Sequence, residues 1–152
     1  MSEVARKSGA ARVQYAALPY RQRGDGSLEV MLVTSRETRR WVIPKGWPMK
    51  GRKPHASAAR EALEEAGLIG KVGKTPIGTY RYDKRLKGGE ATPCAVEVFP
   101  LEVKSQRKHW PEQKERSVRW FARDEAAEAV QESELRAIIR SFEALPANAA
   151  AH

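Results

Sequence analysis

The sequence predicts an α/β fold: a mixed β-sheet with helices on both of its faces. Strand-like runs open the chain, one long stretch free of Gly and Pro sits in its middle, and further strand-like runs precede helical segments at the end. Those three observations carry the prediction. Of the 152 residues, 41% are hydrophobic and 31% charged, enough apolar material for one buried core and too little for a membrane protein. A single domain is expected over residues 13–145, between flexible segments 1–12 and 146–152.

Taken in order, residues 13–20 read as a first strand ending at Leu18-Pro19, and Gly24-Asp25-Gly26 turns it into a second, residues 28–34, as a hairpin. The charged stretch 35–40 leads to a short apolar strand, Trp41-Val42-Ile43, stopped by Pro44 and Gly46. Residues 44–54 then form a loop. Residues 55–66 are rich in Ala, Leu, Arg and Glu, which predicts a helix ending at Gly67. Residues 75–86 and 91–103 are β-prone runs joined by Lys87-Gly88-Gly89-Glu90, a second hairpin. The polar segment 104–117 reads as loop and 118–121 as a short strand. Residues 124–130 and 133–145 read as helices capped by Asp124 and Ser133.

Charge and cysteine content narrow the function. Twenty-eight Lys and Arg against nineteen Asp and Glu leave a net charge of +9, which favours polyanionic partners: nucleic acid, nucleotides, inositol phosphates or anionic lipid. Cys94 is the single cysteine, so neither an intrachain disulfide nor a pair of Cys metal ligands exists. In its apolar run it reads as a buried small hydrophobe. Residues 1–12 lack the apolar stretch of a signal peptide, and no window reaches the roughly 18 apolar residues of a membrane span. A cytoplasmic protein with no membrane partner is expected.

The middle helix carries the chemistry. With Glu61 at 0° and about 100° per residue, Glu64 lies near −60° and Glu65 near +40°, so three carboxylates share one face. Ala59, Ala62, Leu63 and Ala66 fall on the opposite, apolar one. Like charges at these spacings oppose helix formation by about 0.2 to 0.5 kcal/mol per pair, so a cation must offset them. Arg60 can reach Glu64 at i+4 but leaves the other two acids unpaired. Two readings stand side by side: an ordinary solvated acidic face, or a site for Mg²⁺, which binds through a few carboxylates plus substrate phosphates. The preceding loop brings Lys45, Lys50, Arg52 and Lys53, with Gly46 and Gly51, to the helix N-terminus, where free N–H groups favour anions. A polyphosphate held there would lie beside the cation.

Gly46, Arg60, Glu61, Glu64, Glu65, Gly67 and Leu68 fall at the spacing of the Nudix box, Gly-x5-Glu-x7-Arg-Glu-U-x-Glu-Glu-x-Gly-U with U a bulky aliphatic. From about Val13 to about Leu145 the chain resembles the Nudix hydrolase family. The run from Trp41-Val42-Ile43-Pro44-Lys45-Gly46 into Trp47-Pro48-Met49 resembles its diphosphoinositol polyphosphate phosphohydrolase branch, whose members also cleave diadenosine polyphosphates. Two positions depart from the box: Arg52 stands at its first Glu and Ala62 at its bulky aliphatic.

The resemblance implies a Nudix-type α/β/α sandwich and hydrolysis of a phosphoanhydride bond that depends on Mg²⁺ or Mn²⁺. It gives the metal to Glu61, Glu64 and Glu65, with Arg60 orienting those glutamates. Glu115, in Glu115-Arg116-Ser117-Val118-Arg119-Trp120-Phe121, matches a loop acid that in relatives assists the metals or the attacking water; Glu112 is the second choice. Lys45, Gly46, Trp47, Lys50, Arg52, Arg81 and Arg85 are the expected substrate contacts. Arg81 and Arg85, an even number of residues apart, share a face of their strand. Arg52 beside the metal face would strengthen phosphate binding. Trp47 is the aromatic placed to stack on substrate, while Trp41 and Trp120 read as core. A polyphosphorylated small molecule is the favoured partner, with another nucleoside diphosphate derivative or 5′-triphosphate RNA as the alternative substrate. A non-catalytic nucleotide or RNA binder, or a degenerate sensor, is the competing class, but a mere binder gives no reason for three glutamates.

Overall fold

The computed structural model of the protein describes residues 11–144. In chain order they form β1 (Arg12–Gln22), β2 (Leu28–Thr34), β3 (Trp41–Val42), β4 (Lys45–Gly46), α1 (Pro54–Ala66), β5 (Leu68–Val72), β6 (Gly78–Arg85), β7 (Ala91–Gln106), β8 (Val118–Ala122), α2 (Arg123–Ala129) and α3 (Ser133–Ser141). The strands make one mixed sheet whose centre is the parallel pair β1 and β7, in register from Arg12 with Cys94 to Tyr20 with Glu102. On its other edge β1 pairs with β4 at Tyr15 and Ala16 and with β2 at residues 20–22. The two strands of the first hairpin therefore part beyond Tyr20, and Lys45 and Gly46 are held in the opening. The far edge of β7 takes β6 first and β5 after it, and β8 closes the sheet beside β2.

Side chains alternate across this sheet into two separate cores. Ala16, Leu18, Val30, Leu32, Val96 and Val98 face α2 and α3, which contribute Ala126, Leu135 and Ile139. Ala17, Met31, Val33, Phe99 and Leu101 face α1, which meets them with Ala58, Ala62 and Ala66. Burial on both faces explains why these strands read as unbroken apolar runs rather than as alternating ones. The architecture is the helix–sheet–helix sandwich that the order of elements predicts.

The helix predicted over 55–66 spans Pro54–Ala66, with Pro at its start and Gly67 at its C-cap in the left-handed region at φ 71°, as expected. Cys94 is buried, and Trp41 and Trp120 lie partly buried against the two cores, also as expected. Four details differ. First, β1 runs on through Pro19. The Ala17 N–H donates to Pro44 O, so the odd-numbered N–H groups of β1 face the β2/β4 edge, and Pro19 falls between those two pairings where no ladder bond is lost. Second, β5 and β4 were not expected. At Gly70 an added Cβ would meet Glu102 O at 2.0 Å, and this glycine sits at a register shift where β7 supplies the pairing that the short segment lacks on its own. Third, Asp124 lies inside α2, where the Glu125 carboxylate instead accepts the Ala122 N–H, and Ser133 is the first helical residue of α3. Fourth, α3 stops at Ser141 because Phe142 turns inward to meet Tyr20 edge-on at 4.8 Å. Leu145, like segments 1–10 and 146–152, lies outside the described residues, while Arg12 opens β1. No helix among the described residues is long and apolar enough to cross a membrane.

Candidate active site

The narrow alanine stripe of α1 sets which carboxylates enter the molecule. Its buried residues are Ser57, Ala58, Ala62, Glu65 and Ala66, so the face against the sheet is centred near Ala62 rather than opposite Glu61. The three acids therefore do not share one open face. Glu65 is 4% exposed, Glu61 is half-buried, and Glu64 turns outward to Arg60, whose Nε donates to its Oε2 at 2.7 Å. Glu61 lies against the backbone of Gly46, where a Cβ would stand 2.1 Å from its Oε2. A side chain at position 46 would have to displace that carboxylate.

Glu61 and Glu65 stand four residues apart on α1, one above the other on the same side of the helix. Burial raises both, and it pushes Glu65 up to about 8 although the Arg116 and Lys45 cations pull the other way. Arg116 is the central counter-ion. Its side chain is 11% exposed, its Nε donates to Glu112 Oε1 at 2.7 Å, its Nη1 donates to Thr34 O at 3.0 Å, and Glu65 Oε1 lies 3.8 Å away. The loop that carries Glu112 and Arg116 is fastened to the end of α1. Gln106 Nε2 donates to Ala66 O, the Arg107 N–H to Gly67 O and the Glu112 N–H to Glu64 O, each at 2.9 Å. Trp110 lies across Gly67, so close that a Cβ there would be 2.3 Å from its ring. Carbonyls at the end of a helix need such donors, and here they position the site.

Glu61, Glu65 and Glu112 face a cleft of about 520 Å³ whose other walls carry Arg36, Lys45, Lys84, Arg85 and Lys87. Lys45 is half-buried, with burial pulling its ammonium below the ordinary lysine range against the opposing pull of Glu65 and Glu132. Lys84, Arg85 and Lys87, all from the β6–β7 hairpin, have no carboxylate partner among the described residues.

Of the residues the sequence singled out, Glu61, Glu65, Lys45, Gly46, Trp47 and Arg85 meet in this cleft. Arg12 covers one face of Trp47, its guanidinium carbon 4.1 Å from the ring centroid. The other expectations need correction. Lys50 and Arg52 do not line the cleft; Arg52 lies on a shallow apolar groove along the outer side of α1, beside Leu63, so it is not next to the carboxylates. Arg81 is also outside, because Glu134 of α3 accepts its backbone N–H at 2.8 Å and lies 3.7 Å from its guanidinium. Glu115 pairs with Arg36 at 2.9 Å and does not itself line the cleft, whereas Glu112, the second choice, does. Arg116 and Gln14 were missed. The four-residue spacing of Glu112 and Arg116 is the signal for the first, and a lone polar residue in an apolar strand for the second.

Among the described residues no three carboxylate, imidazole or thiol groups close around one point. The donors nevertheless suit a hard cation: burial raises the pKa of both Glu61 and Glu65, so a bound positive charge would favour their ionised forms, and carboxylate oxygens are the ligands such an ion takes.

The sequence model of the family described as NUDIX domain matches residues 11–142. The chain is 30% identical to "Nudix hydrolase 13, mitochondrial" of Arabidopsis thaliana, over 78% of this chain and 61% of that protein. It is 31% identical to "Diphosphoinositol polyphosphate phosphohydrolase 3-alpha" of Mus musculus, over 68% of this chain and 60% of that protein. The match thus spans about three fifths of the length of these curated relatives. Among solved structures it is similar in fold to the Ap4A hydrolase of C. elegans, with a TM-score of 0.59 and 17% identity over 86% of this chain and 94% of that one.

Proposed function

Because the chain belongs to the NUDIX domain family, we propose that it hydrolyses a phosphoanhydride bond in a polyphosphorylated small molecule of the diphosphoinositol polyphosphate or diadenosine polyphosphate type, using Mg²⁺ or Mn²⁺. The observation that carries this reading is the pair Glu61 and Glu65, brought together with Glu112 in a cleft whose walls also carry Arg36, Lys45, Lys84, Arg85, Lys87 and Arg116. The names of the mouse and nematode relatives supply the substrate classes.

Glu61 and Glu65 are the carboxylates we assign to the metal, with Glu112 on the facing loop, while Glu64 stays paired with Arg60 outside the cleft. A divalent ion held there would supply a lowered pKa for water and positive charge against phosphoryl oxygens. Arg60 fixes the orientation of Glu64, and Arg116 keeps Glu65 and Glu112 from moving apart. Lys45 and Arg85, joined by Lys84 and Lys87, receive the phosphates.

The test is phosphate or nucleotide release from diphosphoinositol polyphosphates, diadenosine polyphosphates, ADP-ribose, nucleoside triphosphates and 5′-triphosphate RNA, each with magnesium and with a chelator. Release is expected to need the metal and to be fastest with one of the first two. Glu65→Gln is expected to lower kcat by about a thousandfold or more. Tight binding of a panel member without turnover of any would replace this reading with a non-catalytic nucleotide or RNA binder.

A further inference from the structure

Gln14 is a polar residue of β1 that is 2% exposed and still lines the cleft. Its Oε1 accepts a hydrogen bond from the Tyr82 hydroxyl at 2.6 Å. Among the described residues nothing accepts a bond from its Nε2, and that nitrogen is not among the buried polar atoms left without a partner. A buried carboxamide donor normally finds an acceptor, so the open side of this one is the cleft itself.

Tyr82 does more than occupy the other end of the amide. The Lys45 ammonium stands 5.0 Å from the centre of its ring, so one phenol contacts both groups. Burial holds the Tyr82 hydroxyl protonated far beyond neutral pH, which keeps it a donor and keeps the Gln14 oxygen turned toward it. The three side chains come from β1, β4 and β6: β1 and β4 pair at Ala16 and Lys45, and β7 lies between β1 and β6.

We infer that Gln14 and Lys45 form a two-donor seat for non-bridging phosphoryl oxygens on the wall of the cleft, and that Tyr82 is the positioning residue that aims the Gln14 amide into it. The inference rests on the phosphoanhydride reading and adds a substrate contact to it. A neutral donor beside an ammonium suits an oxyanion and rejects a cationic or donor-bearing group, whose hydrogens would meet hydrogens.

Imidodiphosphate, whose P–N–P bridge resists hydrolysis, serves as the binding probe, titrated calorimetrically into the whole chain with magnesium; turnover is followed on the best substrate of the panel. Gln14→Met keeps the volume and removes the donor, and it is expected to raise both the dissociation constant and KM about three- to tenfold with a smaller change in kcat. Gln14→Glu places a negative charge in the seat and is expected to exceed that loss. Tyr82→Phe keeps the ring under Lys45 and is expected to weaken binding by a smaller factor, because the amide is freed to turn. Thermal melts of each variant separate loss of fold from loss of binding. Folded Gln14→Met and Gln14→Glu proteins that bind imidodiphosphate as wild type does would overturn the seat while leaving the enzyme reading intact. Wild-type protein that neither binds the probe nor hydrolyses any panel member would overturn both.

Discussion

At Gly46 the absence of a side chain is itself a functional feature, because the Glu61 carboxylate occupies the volume where a Cβ would stand. Gly46→Ala must push that carboxylate off the backbone, since the alternative is to move a strand fixed by pairing to β1. The expected outcome is a fall in kcat of about a hundredfold with the melting temperature changed by no more than a few degrees, checked by steady-state kinetics and a thermal melt. Much at this scale was legible beforehand, since Glu61 and Glu65 follow from spacing on a helix, Gly67 from the helix end, and Gly46 from the resemblance to the Nudix box. What spacing left out is the roll of that helix about its axis. Roll is decided by which side chains fit the sheet, and it kept Glu64 out of the cleft and put Arg52 on the outer groove. The positions of Arg81 and Glu115 were also illegible, because each pairs with an oppositely charged residue more than fifty positions distant in the chain.

Among elements, the loop 107–117 and the end of α1 behave as one unit. Gly67 combines a left-handed backbone with the Trp110 ring on its α-carbon, so Gly67→Ala strains the first and displaces the second. A loss of roughly 2 kcal/mol or more is expected in urea unfolding, together with reduced activity, since Glu112 and Arg116 ride on the same loop. Unchanged activity in the folded variant would mean that the loop acid is dispensable. The sequence placed the helix end within a residue because capping is local. It placed the loop's contents poorly because those depend on where β7 delivers the chain, sixteen residues after it starts.

For the molecule as a whole, the buried acids make stability depend on pH. Glu65 titrates near 8 when folded against an ordinary 4.5, and Glu61 is raised in the same sense, so the folded chain holds protons that the unfolded chain has released. Their contribution is fully present below about 4.5 and is lost as pH rises toward 8. Asp25 and Glu29, held below the usual carboxylate range by hydrogen bonds to Ser27 and Arg21, act on the acid side of that window. Metal-free protein is therefore expected to melt at least about 4 °C lower at pH 8 than at pH 5, and magnesium to narrow the difference by taking the protons' place. Differential scanning calorimetry with chelator and with magnesium checks both; a flat or rising metal-free profile would contradict the carboxylate pair. The two-core sandwich itself was readable from the order of runs, whereas the parting of β1 from β2 was not, because a hairpin signal reports the turn and says nothing of how far its arms stay zipped.

The alanines at 58, 62 and 66 are the shims between α1 and its platform. A larger residue at any of them, such as Ala62→Leu, would lift the whole rod, carrying both acids away from Gly46 together and leaving their chemistry intact but out of reach. The thickness of a methyl group thus calibrates this cleft, and enlarging it should detune the protein without touching a single charged atom.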